Sequence, residues 1–173
     1  MTIKFTDLSK RLSEQKSDTV VFAFGRFNPP TIGHEKLFKK VESEGKRAKD
    51  HFVYASHSED NKKNPLNPRL KQRILKKAFP RNNVVISSKQ MPTALHIASA
   101  LYEKGYKNLV MVAGSDRVQE FKKLLDRYNN EKSRHGFYNY ETINVVSSGE
   151  RDADAEDVSG ASGTKMRMYA AKG

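Results

Sequence analysis

Two short stretches of this chain carry residues whose types and spacing suit phosphate chemistry. The first is Phe24-Gly25-Arg26-Phe27-Asn28-Pro29-Pro30-Thr31-Ile32-Gly33-His34, which follows the apolar run Val20 to Phe24 and precedes an amphipathic segment. It reads as a turn between a strand and a helix. Such a turn gathers free backbone N–H groups and the positive end of a helix dipole, for which phosphate is the natural ligand. Gly25 and Gly33 let the main chain approach a ligand, the prolines stiffen the path, and Thr31 and His34 add a hydroxyl and an imidazole. The second stretch is Ser159-Gly160-Ala161-Ser162-Gly163-Thr164-Lys165-Met166-Arg167. With Ser162 as N-cap, Gly163, Thr164 and Lys165 fall in a first helical turn, and Arg167 shares a face with Thr164. Its guanidinium can then reach the same anion.

The other candidates are less distinctive. Gly114-Ser115-Asp116 follows an apolar run and forms a second strand-to-helix turn, where Asp116 either caps the helix or accepts from ribose hydroxyls. His57 lies just beyond a strand end, whereas His96 sits within a helical pattern and reads as structural. His51 and His135 have no spacing to a second metal ligand. The acidic run from Glu150 to Asp157 lacks calcium-loop spacing and reads as a solvated loop, so no protein metal site is expected.

The pattern Gly-x-Phe-x-Pro-x-Thr-x-Gly-His, from Gly25 to His34, resembles the first signature of the nucleotidylyltransferase superfamily. Thr31 is the variant found in pantetheine-phosphate adenylyltransferases, where nicotinamide-mononucleotide adenylyltransferases usually carry a second histidine. Ser162, Gly163, Thr164 and Arg167 resemble the second signature, Ser-(Ser or Gly)-Thr-x-x-Arg, and Gly114 with Asp116 resembles a Gly-x-Asp element that holds the nucleotide sugar. The resemblance covers residues 19–173, and in its details the chain also looks like nucleotidyltransferase-like proteins of tailed phages.

That resemblance implies an adenylyltransferase or cytidylyltransferase, moving a nucleoside monophosphate from ATP or CTP to a phosphorylated small molecule and releasing pyrophosphate. Thr31 and His34 would hold the α- and β-phosphates, and Thr164 and Arg167 the leaving pyrophosphate. Gly25, Arg26, Phe27, Gly33, Gly114, Asp116, Ser162 and Gly163 would bind the nucleotide. His57, Lys62, Lys63 and Arg69 are candidates for the second substrate. Magnesium would enter on the triphosphate, held by phosphate oxygens and water. The donors and cations, without a nucleophile or carboxylate pair, agree: such a site positions substrates and stabilises charge.

To place these residues, the chain must alternate strands and helices. Strands are predicted at 19–24, 51–55, 84–86, 109–112 and 143–146, and helices at 33–45, from 67–68 to Pro80, 92–104 and 116–128, with Gly45 and Gly105 as C-caps. This predicts an α/β fold, a Rossmann-like doubly wound parallel sheet of about five strands with helices on both faces. Ligands then sit beyond the strand C-termini, where both glycine turns and the end of strand two are expected to meet. Residues 1–18 read as an N-terminal helix or arm, with Phe5, Leu8 and Leu12 at helical spacing, packing on the outside of the domain 19–173. The aromatic stretch from Asn129 to Asn144 reads as loop packing before base stacking.

Composition narrows the class further. No cysteine is present, which removes disulfides and thiolate metal sites, and no apolar run reaches membrane-spanning length. The expectation is a cytoplasmic protein, in the host cytoplasm if phage-encoded. Its 32 Lys and Arg against 20 Asp and Glu give a net charge of +12, a field that attracts nucleotides and nucleic acid alike. The other reading is therefore a nucleic-acid-binding or accessory module that keeps this fold without catalysis. The length of 173 residues leaves no room for a class I aminoacyl-tRNA synthetase, which shares the first type of turn.

Overall fold

Along Thr19–Gly25, Val20 and Phe22 enter one cluster of buried side chains, and Val21 and Ala23 enter a second. A strand buried on both faces belongs inside a parallel sheet covered on both sides. The computed structural model describes residues 4–27, 30–59 and 65–149, the side chains of 12–17 excepted. In it this strand, β1, is the middle of five. With β2 (Asp50–Ala55), β3 (Val84–Ile86), β4 (Asn108–Ala113) and β5 (Thr142–Ser147) it forms a sheet of order β3-β2-β1-β4-β5. Every pairing is parallel, giving the Rossmann-like α/β sheet predicted.

Helices α2 (Ile32–Gly45) and α3 (Pro68–Ala78) cover one face, packing Phe38, Val41 and Leu75 on Val21, Ala23, Val53 and Val84. Helices α4 (Ala94–Glu103) and α5 (Val118–Arg127) cover the other, packing Leu95, Ile97, Leu101 and Leu125 on Val20, Phe22, Leu109 and Met111. The chain steps outward from β1 to β3, then returns to the far side of β1 for β4 and β5. Right-handed crossovers put the second helix pair on the opposite face. The reversal also parts the connections above β1 and β4, which opens a crevice at their C-terminal ends.

Local chemistry sets most boundaries. The Asn67 side chain accepts from the Arg69 N–H at 2.9 Å, so Asn67 and Pro68 are the N-cap and first residue of α3. Thr93 caps α4, which starts two residues later than predicted, because Pro92 lies outside it. Gly105 follows that helix at φ +99, a left-handed position that suits glycine.

Gly45 differs from expectation. It ends α2, but the next residue, Lys46, keeps a right-handed helical backbone at φ −63. Glycine is needed there for space, since a Cβ would lie 2.6 Å from the His51 ring, whose Nε2 is 3.0 Å from the Arg81 carbonyl. The predicted fourth helix is likewise split into a 3-10 turn, Ser115–Arg117, and α5.

Helix α1 (Phe5–Ser17) forms as expected, yet Phe5 is 84% and Leu8 46% exposed. Those two side chains are not packed into the domain. The segment after α5 is core instead: Tyr138 and Tyr140 are buried, and their hydroxyls donate to the Leu125 and Ala98 carbonyls, each at 2.7 Å.

Candidate active site

The turn after β1 is held from two sides. The Gly25 carbonyl accepts from the Ser56 N–H at 2.8 Å, tying the exits of β1 and β2 together. The Arg26 carbonyl accepts from Lys71 Nζ at 2.9 Å, and the same ammonium donates to the Ser56 carbonyl at 2.5 Å. Phe27 then takes φ +48, a left-handed backbone that an aromatic side chain rarely adopts.

That conformation folds the Phe27 ring inward. It is 1% exposed and meets the rings of Phe38 and His34 edge-on, with centroids 5.2 and 4.9 Å away. The ring occupies the space over Gly25, where an added Cβ would lie 2.8 Å from it. Gly25 thus makes room for Phe27. Gly33 is different: a Cβ there would meet Thr31 Oγ1 at an ordinary 3.8 Å, and the first turn of α2 is left open.

Thr31 and His34 are joined at that helix start. The Thr31 N–H donates to His34 Nδ1 at 2.9 Å, and Thr31 Oγ1 is 3.2 Å from the same nitrogen. Thr31 is the N-cap, and His34 takes the reach-back position that Glu or Gln fills in a capping box. Because Nδ1 accepts, the neutral ring carries its proton on Nε2, the form that donates to an anion from that nitrogen.

Gly25, Phe27, Thr31, Gly33 and His34 line a crevice of about 200 Å³ together with Gly114 and Asp116. The two glycine turns, from β1 and β4, therefore meet at the strand reversal. Asp116 is not the N-cap of either following helix; Gly114 has that place in the 3-10 turn and Arg117 in α5. An added Cβ at Gly114 would lie 2.9 Å from the Asp116 carboxylate, so glycine gives this side chain its room.

The other predicted residues are placed elsewhere. Arg26 lines a neighbouring cavity of about 450 Å³, which shares Phe24, Gly25, Arg117 and Phe121 with the crevice and adds Leu95, Tyr128, Arg134 and His135. His57 lies between β2 and β3, its N–H donating to Ser87 Oγ at 3.2 Å, and lines neither cavity. The end of β2 thus stays out of the crevice, because β1 stands between β2 and β4. Arg69 is exposed on α3 and lines neither cavity. Lys62, Lys63, Ser162, Gly163, Thr164 and Arg167 lie outside the described residues. His96 is structural as expected, with Nδ1 2.7 Å from the Thr93 hydroxyl; burial and, secondarily, Arg134 lower its pKa.

Sequence reasoning missed several contributors. Lys36 and Leu37 continue α2 from His34 into the crevice wall, and Ser148 with Gly149 closes it beyond β5. Arg117, directly after Asp116, lines both cavities and stacks on Phe121 with its guanidinium 4.5 Å from the ring centroid. Lys71 was the hardest to see, although one signal existed. It is one turn before Leu75 on the buried stripe of α3, and both are fully buried.

The model of the cytidylyltransferase-like family matches residues 22–168, from within β1 past the second glycine-rich stretch. No curated protein matches the chain at a significant level.

Proposed function

The chain belongs to the cytidylyltransferase-like family, and on that premise we propose that its crevice transfers a nucleoside monophosphate from ATP or CTP to a phosphorylated small molecule. One observation carries the reading: Thr31, Gly33 and His34 face Gly114 and Asp116 across a single crevice at the strand reversal.

The reaction is an in-line displacement. A phosphate oxygen of the acceptor attacks the α-phosphorus, the bond from that phosphorus to the bridging oxygen of the β-phosphate breaks, and pyrophosphate leaves with the electron pair. No protein nucleophile takes part. The open first turn of α2 supplies N–H donors and dipole to the α- and β-phosphates, with the Thr31 hydroxyl and the His34 ring beside them. His34 stabilises the charge that develops on the bridging oxygen. Asp116 accepts from the sugar hydroxyls, and Ser162, Thr164 and Arg167 would hold the β- and γ-phosphates.

Among the described residues, no group of three His, Cys, Asp or Glu side chains is placed to hold a metal ion. Magnesium would enter on the triphosphate rather than in a protein cage, and would offset the negative charge of the phosphates. The adjoining cavity, reached past Gly25 and rimmed by Arg26, Arg117 and Arg134, suits the anionic acceptor.

The test is pyrophosphate release, measured for ATP and CTP against a panel of phosphorylated metabolites with magnesium. Turnover with one pair, lost in His34→Ala and Arg167→Ala, supports the reading. Turnover that is unchanged in both variants sinks it.

A second reading rests on α3, where Arg69, Arg73, Lys76 and Lys77 are all exposed and fall on one side of the helix. With a net charge of +12, that stripe fits a nucleic-acid backbone. Salt-dependent RNA or DNA binding that survives His34→Ala and Arg167→Ala would favour it.

A further inference from the structure

Lys71 is fully buried, yet it makes no ion pair among the described residues. Its ammonium donates to two main-chain carbonyls, Arg26 at 2.9 Å and Ser56 at 2.5 Å. Glu59 acts on it only through longer-range attraction. A buried charge held by neutral dipoles is costly, and an apolar side chain on the same helix face would give a simpler core.

The geometry of the peptide it holds suggests what the charge does. In a planar trans peptide the carbonyl and the following N–H point in opposite directions. Lys71 draws the Arg26 carbonyl toward α3 and so turns the Phe27 N–H away from that helix. The Phe27 N–H has no hydrogen-bond partner among the described residues, and Phe27 lines the crevice. Its left-handed backbone, φ +48, is a strained state that persists only where the surroundings impose it. The Lys71 bond to Arg26 and the Ser56 bond to Gly25 hold the two successive peptides that lead into Phe27.

We propose that Lys71 is a positioning residue of the transfer site. Its ammonium fixes the Arg26–Phe27 peptide so that the Phe27 N–H is presented to a phosphate oxygen, and its charge favours an anion on the turn above it. The proposal rests on the transfer reading of the crevice. It goes beyond that reading by assigning the strained turn to a lysine that touches neither cavity.

The experiment uses Lys71→Met, an unbranched side chain one atom shorter that fills most of the same space and removes the charge. Three quantities are read: the backbone at Phe27 in a crystal structure, the melting temperature, and the affinity for inorganic tripolyphosphate, ATP and CTP. The expected result is a Phe27 that leaves the left-handed region and an affinity about tenfold lower or worse, in a protein at least as heat-stable as wild type. A merely structural lysine would instead lower stability and leave affinity unchanged. If Lys71→Met does not fold, Lys71→Gln retains one amide donor and is expected to lose affinity by a smaller factor with the turn partly restored. An unmoved Phe27, or unchanged affinity beside intact wild-type binding, overturns the role of Lys71 alone. Absence of binding by wild type to all three polyphosphates overturns the transfer reading and the ligand half of this proposal together.

Discussion

His34 Nδ1 accepts the backbone N–H of Thr31 at 2.9 Å, so the residue proposed to stabilise the leaving group also completes the cap of its own helix. The same bond directs the ring proton to Nε2. Structure and chemistry therefore meet in one side chain, and a single alanine substitution removes both.

Substitution with glutamine separates them. Glutamine fills the reach-back position of a capping box, so His34→Gln is expected to keep thermal stability while His34→Ala loses about 1 kcal/mol. Both should lower turnover by about a hundredfold or more. Urea melts and pyrophosphate release on the two variants decide the matter; equal activity in wild type and His34→Gln would remove His34 from the chemistry.

Gly25 and Gly33 should respond in opposite ways. A Cβ at Gly25 would lie 2.8 Å from the Phe27 ring, so Gly25→Ala displaces that ring and destabilises by about 1–3 kcal/mol. A Cβ at Gly33 has room at 3.8 Å from Thr31 Oγ1, so Gly33→Ala keeps the fold, with up to about 1 kcal/mol gained in the helix. The added methyl would instead occupy the proposed phosphate approach. Calorimetric titration with tripolyphosphate is expected to show weakened binding to a fully stable Gly33→Ala protein.

Lys71 gives stability a pH dependence of known sign. Burial lowers its ammonium from the usual 10.5 to about 8, against the opposing attraction of Glu59. Between those values the unfolded chain keeps a proton that the folded chain releases, so folding is favoured as pH rises through the window. Below about pH 8 the penalty of the buried charge is present in full. Denaturation of wild type and Lys71→Met, compared from about pH 7 to about pH 10, should show wild type gaining on the variant as pH rises. A constant difference contradicts the shift.

Tyr140 tests the opposite end of the molecule. Its buried hydroxyl donates to the Ala98 carbonyl at 2.7 Å, and burial raises its pKa well above the usual tyrosine value. Tyr140→Phe should cost about 1 kcal/mol and leave nucleotide affinity unchanged, which thermal melts with and without ATP would show. A loss of affinity would mean that this segment communicates with the crevice.

Much of the fold is legible in the sequence. Apolar runs and glycine turns marked all five strands to within a residue at each end, and the signature from Gly25 to His34 pointed to phosphate. Local rules work there because short apolar runs, N-caps such as Asn67 and a left-handed Gly105 depend on neighbours in sequence. Gly45 was misread for the complementary reason: its constraint is the His51 ring, and a contact across space leaves no mark in a cap pattern.

The sequence by itself determined the alternating α/β order, the positive charge and the glycine-bearing strand-to-helix form of the first turn. Only tertiary structure decided which turns meet. The reversal of strand order between β1 and β4 joins Gly25–His34 to Gly114 and Asp116, and leaves His57 on the far side of β1. It also decided that Lys71 is buried and Phe27 strained. Both follow from packing α3 beneath the β1 exit, where a lysine far along the chain becomes the partner of the Arg26 carbonyl.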